Sequence, residues 1–159
     1  MTAAEARTHI RYSGWASQRL LDAAMRLEPE MMHRDLGVAN KSVHGTLDHI
    51  LMADRVWLAR VTGAPIQPEG PLDVEWPRIQ QRWQQFADEL TDADLPRVVA
   101  YTDLKGNPHE SPLCQIVLHV VNHATLHRGQ VMAMFRQLSI APPPTDLIFY
   151  YREQHAAHV

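Results

Sequence analysis

The stretch His119-Val120-Val121-Asn122-His123-Ala124-Thr125-Leu126-His127-Arg128-Gly129-Gln130 decides how the chain reads. Three imidazoles recur one helical turn apart inside a run that otherwise has the character of a buried helix. An α-helix advances about 100° per residue, so residues four apart lie only about 40° apart on its surface. Two imidazoles on that spacing can share one metal ion. A third ligand from another helix would complete a facial set and leave a position for water or substrate, as in a catalytic rather than a structural site.

Working outward, Leu113, Val117, Val120, Ala124, Val131 and Leu138 form an apolar stripe on the same helix. His127 falls within that stripe, His123 about 40° away on its flank, and His119 a further 40° or so round, near solvent. His123 and His127 are therefore expected to face the interior, with His119 at the boundary. A lone buried histidine is ordinarily satisfied by a hydrogen bond. Two on one apolar face both need partners, which either separate hydrogen bonds or a shared metal supplies.

The helix opens at Ser111-Pro112, a cap followed by a first-turn proline, and should run to about Leu138. Three more long amphipathic helices are expected. One spans about Ala3 to Leu27 and stops before Pro29. One starts at Ser42, a plausible N-cap, and ends near Thr62 before Gly63 and Pro65. One begins near Pro77 and continues through Ile79, Trp83, Phe86 and Leu90. Val98 to Thr102, followed by Lys105-Gly106-Asn107, suggests a small hairpin or extended loop. Pro142-Pro143-Pro144 breaks the chain, and Asp146 caps a short final helix through Tyr150 and Tyr151. The fold class is thus all-α: a four-helix bundle in a single domain of residues 1–159.

With 159 residues the chain can bury a core without disulfides or a structural metal. A formal charge of -3 and a pI near 6.3, with no basic run, give no case for nucleic acid or an anionic membrane surface. No apolar stretch reaches the roughly 18 residues of a membrane span, and MTAAEARTHIRYSG lacks a signal-peptide core. The single Cys114 excludes an internal disulfide and suits a cytoplasmic location. The anomaly is ten histidines, of which His155 and His158 fall in a polar, tail-like C-terminus.

The second long helix offers two more. His44 lies with Lys41, Asp48 and Arg55 on what reads as the solvated face. His49 shares its side with Ala53 and Val56, beside an apolar row through Val43, Leu47, Ile50, Trp57 and Val61. Such broad apolar coverage suits a helix with two neighbours, and His49 is a candidate third ligand. Asp54 is either a partly buried acid that orients a ligand imidazole or an exposed residue at the helix margin. Gln130 could hydrogen-bond a metal-bound water. Gly129 weakens the helix by about 1 kcal/mol relative to Ala and could permit a close approach. Arg128 either binds an anionic substrate group or faces solvent. Cys114 reads as a small packing residue.

These residues resemble a known family. Leu118 to His123 followed by His127-Arg128-Gly129-Gln130-Val131 is similar to the signature of the DinB-like (DinB/YfiT) metalloenzymes. Tyr12-Ser13-Gly14-Trp15-Ala16-Ser17-Gln18-Arg19 resembles its N-terminal Tyr-Asn-x-Trp-Ala-Asn-x-Arg pattern, with Ser13 and Ser17 in place of Asn. Ser42 to Trp57 resembles its second helix, and Val99 to Pro112 the segment before its last long helix. The resemblance implies a four-helix bundle, often a homodimer. It also implies a divalent metal, zinc or nickel, held by His49, His123 and His127. Relatives implied by the family include bacillithiol S-transferases, mycothiol-dependent isomerases and metal-dependent hydrolases. The leading expectation is an enzyme that activates a low-molecular-weight thiol for transfer to a small electrophilic substrate. The alternatives are a metal-dependent hydrolase, or a non-catalytic, stress-associated dimer that binds metal or ligand. No general acid or base is evident beside the three histidines.

Overall fold

The computed structural model describes residues 1–156; His158 and its neighbours, the end of the expected tail, lie outside them. Six helices and one hairpin follow in order: α1 (Ala3–Ala24), α2 (Pro29–His33), α3 (Val43–Thr62), α4 (Leu72–Glu89), β1 (Val98–Thr102), β2 (Pro108–Pro112), α5 (Leu113–Gln137) and α6 (Leu147–Ala156). The fold class is all-α, as expected, with α1, α3, α4 and α5 as its four long helices.

The chain forms two compact units, residues 1–11 with 51–123, and residues 12–50 with those from 124 onward. In the first, Leu51, Leu58, Trp76, Ile79, Trp83, Leu95, Val99, Leu113 and Ile116 are buried. In the second, Leu20, Leu21, Leu47, Ile50, Val131, Met134 and Phe135 are. Every residue of the expected α5 stripe is buried, and so are Val43, Leu47, Ile50 and Val61 of the α3 row.

The helix ends show which local signals prevailed. Ser42 caps α3 as its sequence suggests, its Oγ accepting from the Gly45 N–H at 3.1 Å. Gly45 is required there, because a Cβ would collide with the Asn40 carbonyl oxygen. Helix α1 stops at Ala24, short of Leu27, as its end tightens into bonds from Arg26 to Ala23 and from Leu27 to Ala24. Helix α2, opened by Pro29, was not anticipated.

Helix α4 begins five residues before Pro77, which lies inside it. The early start buries Leu72 and Trp76. Each such burial contributes about 2–3 kcal/mol, together more than the roughly 3 kcal/mol that an internal proline costs.

The expected helix start at Ser111-Pro112 is also corrected. Both residues belong to β2, paired antiparallel with Val99 and Val98. The first N–H groups of α5 are satisfied by the chain before the hairpin, Leu113 donating to the Arg97 carbonyl and Cys114 to the Leu95 carbonyl. Ser111 Oγ instead meets the Tyr101 hydroxyl at 3.3 Å. The hairpin turn is held by Asp103, whose carboxylate accepts from the N–H groups of Lys105 and Asn107 and from Asn107 Nδ2. Gly106 closes it with a φ of 84°.

Candidate metal centre

Helix α3 carries His49, and α5 carries His123 and His127 on consecutive turns. One ring nitrogen from each lies within 4.8 Å of the others, and all three side chains are half-buried. The rings of His49 and His127 meet edge to face, 4.5 Å between centroids. The chain thus positions these three histidines to hold one metal ion.

The surroundings of His49 and His127 suit that task. Burial, and next the nearby His127, hold the His49 imidazole below its ordinary pKa, against an opposing pull from Asp48. The neutral ring is the ligating form. His127 Nδ1 lies 2.8 Å from Gln130 Oε1. With the amide oxygen as acceptor, Nδ1 carries the hydrogen and Nε2 keeps its lone pair for a metal. Gln130 therefore contacts a histidine, where the sequence suggested a bound water.

The other singled-out residues separate clearly. His119 is exposed beside the site, its ring 5.8 Å from that of His123 and 5.1 Å from that of Trp57. Asp54 is buried, not marginal; Oδ2 accepts from Gln80 Nε2 at 3.0 Å and its carbonyl from Trp83 Nε1 at 3.2 Å. His44 is half-buried and stacks on His33 of α2 at 4.4 Å, while Lys41 and Asp48 are exposed. Arg55, expected on that solvated face, is buried and donates to the Pro68 carbonyl and the Glu69 carboxylate. It anchors the irregular segment between α3 and α4. A Cβ at Gly129 would meet open space, so that glycine permits no close approach among the described residues. Cys114 is half-buried. His155 is exposed, within α6 rather than in an irregular tail.

Arg128 is the larger surprise. Only 2% exposed, it neither faces solvent nor reaches into open space. Its Nη1 donates to Ser13 Oγ and Ser17 Oγ, each at 3.0 Å, and to the Ser13 carbonyl at 3.3 Å. Its Nη2 donates to Thr125 Oγ1 at 2.7 Å. The Tyr12 ring lies under the guanidinium, 5.4 Å from Cζ. The two serines that stand where the resembled pattern has asparagines thus bind the arginine that follows His127. The sequence placed both halves of this contact in motifs but could not join them.

One histidine on α3 and two on α5 define a helical protein with three histidines placed so that they could hold a metal ion. Known proteins of the same kind give its family. The model of the DinB family matches residues 1–157, and the chain belongs to that family. It is 24% identical over 155 residues to Protein DinB of Bacillus subtilis (strain 168), an alignment covering 87% of this chain and 89% of that protein. A crystal structure of a DinB-like protein from Bacillus cereus shares the fold. It matches with a TM-score of 0.56 at 22% identity, over 84% of this chain and 91% of the other.

Proposed function

We propose that the protein is a metal-dependent enzyme whose His49, His123 and His127 bind a single divalent ion, zinc or nickel, and which transfers a low-molecular-weight thiol to a small electrophile. The observation that carries this reading is the convergence of three ring nitrogens within 4.8 Å of one another. Three neutral imidazoles from two helices match the ligand count of a catalytic site, and imidazole suits either metal. A divalent ion in such a site lowers the pKa of a water or thiol and so supplies a nucleophile near neutral pH.

The chain's own residues prepare the site. Burial keeps His49 neutral, and Gln130 sets the His127 tautomer. Arg128 ties α5 to the serines of α1, which fixes the backbone on which His127 stands. We take residues 1–159 as one domain, because α1, α3 and α5 each contribute to both compact units, and as cytoplasmic on the strength of its single cysteine. We also infer a homodimer, supported by Leu118 and Leu126, large apolar side chains left exposed on α5.

The test is metal quantification on untagged protein, followed by a screen of thiols with electrophiles and of simple esters and amides. Stoichiometric metal and thiol-dependent turnover, both lost in a folded His127→Ala variant, are the expected results. Ester or amide hydrolysis without a thiol would make it a hydrolase instead. Tight metal with no turnover would make it a binding protein. Substoichiometric metal under all conditions would remove the site.

A further inference from the structure

Beside the histidines lies a cationic corner that the metal site does not use. Arg60, in the last turn of α3, places its Cζ 4.4 Å from the Trp57 ring centroid and 4.8 Å from that of Tyr101. The two rings meet at 5.0 Å, inclined by 70°, so the guanidinium sits in the angle between an α3 side chain and a β1 side chain. Nη2 donates to the Thr102 carbonyl. Among the described residues Nε and Nη1 of Arg60 meet no protein acceptor, and no carboxylate stands within ion-pair distance. The nearby Asp103 carboxylate is occupied by Lys105, Asn107 and His109. His109, paired across the hairpin from Tyr101 and stacked on it at 5.7 Å, extends the same wall. An open hollow of about 670 Å³ lies against this wall, lined by Tyr101, Thr102, His109 and Glu110 among others, with Arg60 outside its lining.

This corner is connected to the metal ligands by side-chain contacts. The ring centroids of Trp57 and His119 lie 5.1 Å apart, and those of His119 and His123 5.8 Å apart. A guanidinium held over aromatic rings through its central carbon still has N–H groups with which to meet an oxyanion. It carries a single charge, and the C-terminal, negative end of the helix dipole beside it opposes a dianion more strongly than a monoanion.

We propose that Arg60, backed by Trp57 and Tyr101, binds the carboxylate of a small-molecule substrate whose reacting end lies at the three histidines. Arg60 is thereby the specificity-determining residue that selects an acidic substrate. This rests on the metal-and-thiol reading above and names the substrate class for it.

The test uses cobalt(II) as the bound metal and mercaptoalkanoic acids of graded length, each compared with its matching mercaptoalcohol. Thiol binding is read from the sulfur-to-cobalt charge-transfer absorption. At one chain length the acid should bind about tenfold more tightly than the alcohol, the gain expected of a hydrogen bond to a charged group. Arg60→Gln should abolish that preference while leaving alcohol affinity and the cobalt spectrum unchanged, and Arg60→Lys should retain part of it. Equal affinities at every length, or a preference that survives Arg60→Gln, would overturn the assignment and leave the metal–thiol reading intact. If Arg60 only pins the hairpin to α3, Arg60→Gln lowers the melting temperature without changing the acid-to-alcohol ratio, which also overturns it. Absence of the absorption with every thiol would remove the underlying reading, and the inference with it.

Discussion

His127 and Gln130, three residues apart on α5, are joined by a 2.8 Å hydrogen bond between Nδ1 and Oε1. The bond costs no extra chain, since both residues lie on one helical face. It leaves Nε2 as the only nitrogen of His127 with an available lone pair. Gln130→Ala should therefore weaken metal binding by about 10–100-fold, the usual effect of losing such an orienting partner. Competition with a chelator of known affinity measures it. An unchanged affinity would mean that packing alone orients the ring.

The three proposed ligands can be told apart from their neighbour. His49→Ala, His123→Ala and His127→Ala should each lose stoichiometric metal, whereas His119→Ala should keep it, because His119 is not among the three clustered residues. Elemental quantification after dialysis of untagged protein decides the matter. Metal lost on His119→Ala would place that imidazole in the ligand set.

Burying a guanidinium among hydroxyls makes each hydroxyl matter. Ser17→Ala removes one acceptor from Arg128 in a site where Ser17 itself is buried. The expected loss is about 2 kcal/mol of stability, within the range for a hydrogen bond to a charged group. Urea unfolding of the wild type and the variant reads it directly, and a change below the error of the method would mean water replaces the serine.

Two glycines should respond in opposite directions. Gly129→Ala adds a Cβ into open space in the middle of α5 and should stabilise by about 1 kcal/mol. Gly45→Ala drives a Cβ against the Asn40 carbonyl in the first turn of α3 and should destabilise. Thermal melts of both variants test the pair. A Gly129→Ala variant that melts lower would reveal a contact on that face in the assembled protein.

Stability of the metal-free protein should fall as the medium becomes acidic. His44, His49 and His119 are all held below their ordinary value of 6.5, in each case chiefly by burial. His33 adds to the effect at His44, His127 at His49 and Arg60 at His119. The unfolded chain takes up protons near 6.5, while the folded chain resists them to lower pH. Stability is thus undiminished above about 6.5 and declines below it until the folded-state imidazoles also protonate. Melting temperatures from about pH 8 to about pH 5.5 should show this slope, reduced in His44→Gln. A flat profile would contradict the shifts.

Much of the fold is legible in the sequence because helix periodicity is a local property. The stripe from Leu113 to Leu138 is buried as its spacing requires, and so are Val43, Leu47, Ile50 and Val61 of the α3 row, with Trp57 half-buried. The Ser42 cap holds. The two α5 histidines separate from His119 by angle alone. Errors fell where local chemistry had more than one outlet. Pro77 reads as a helix start until the burial of Leu72 and Trp76 outweighs it, and Ser111-Pro112 reads as a cap until strand pairing claims it.

What the sequence by itself determined is which side chains share a helical face, because 3.6-residue periodicity is fixed by backbone geometry. That is enough for the His123 and His127 pair, for the all-α class, and for His49 as a candidate. Only the tertiary structure decided which faces meet. It brought His49 against His127, set Ser13 and Ser17 on Arg128, and swung the hairpin so that Tyr101 closes over Arg60. These contacts join residues tens of positions apart. They follow from the packing of many apolar side chains at once, and no local pattern records them.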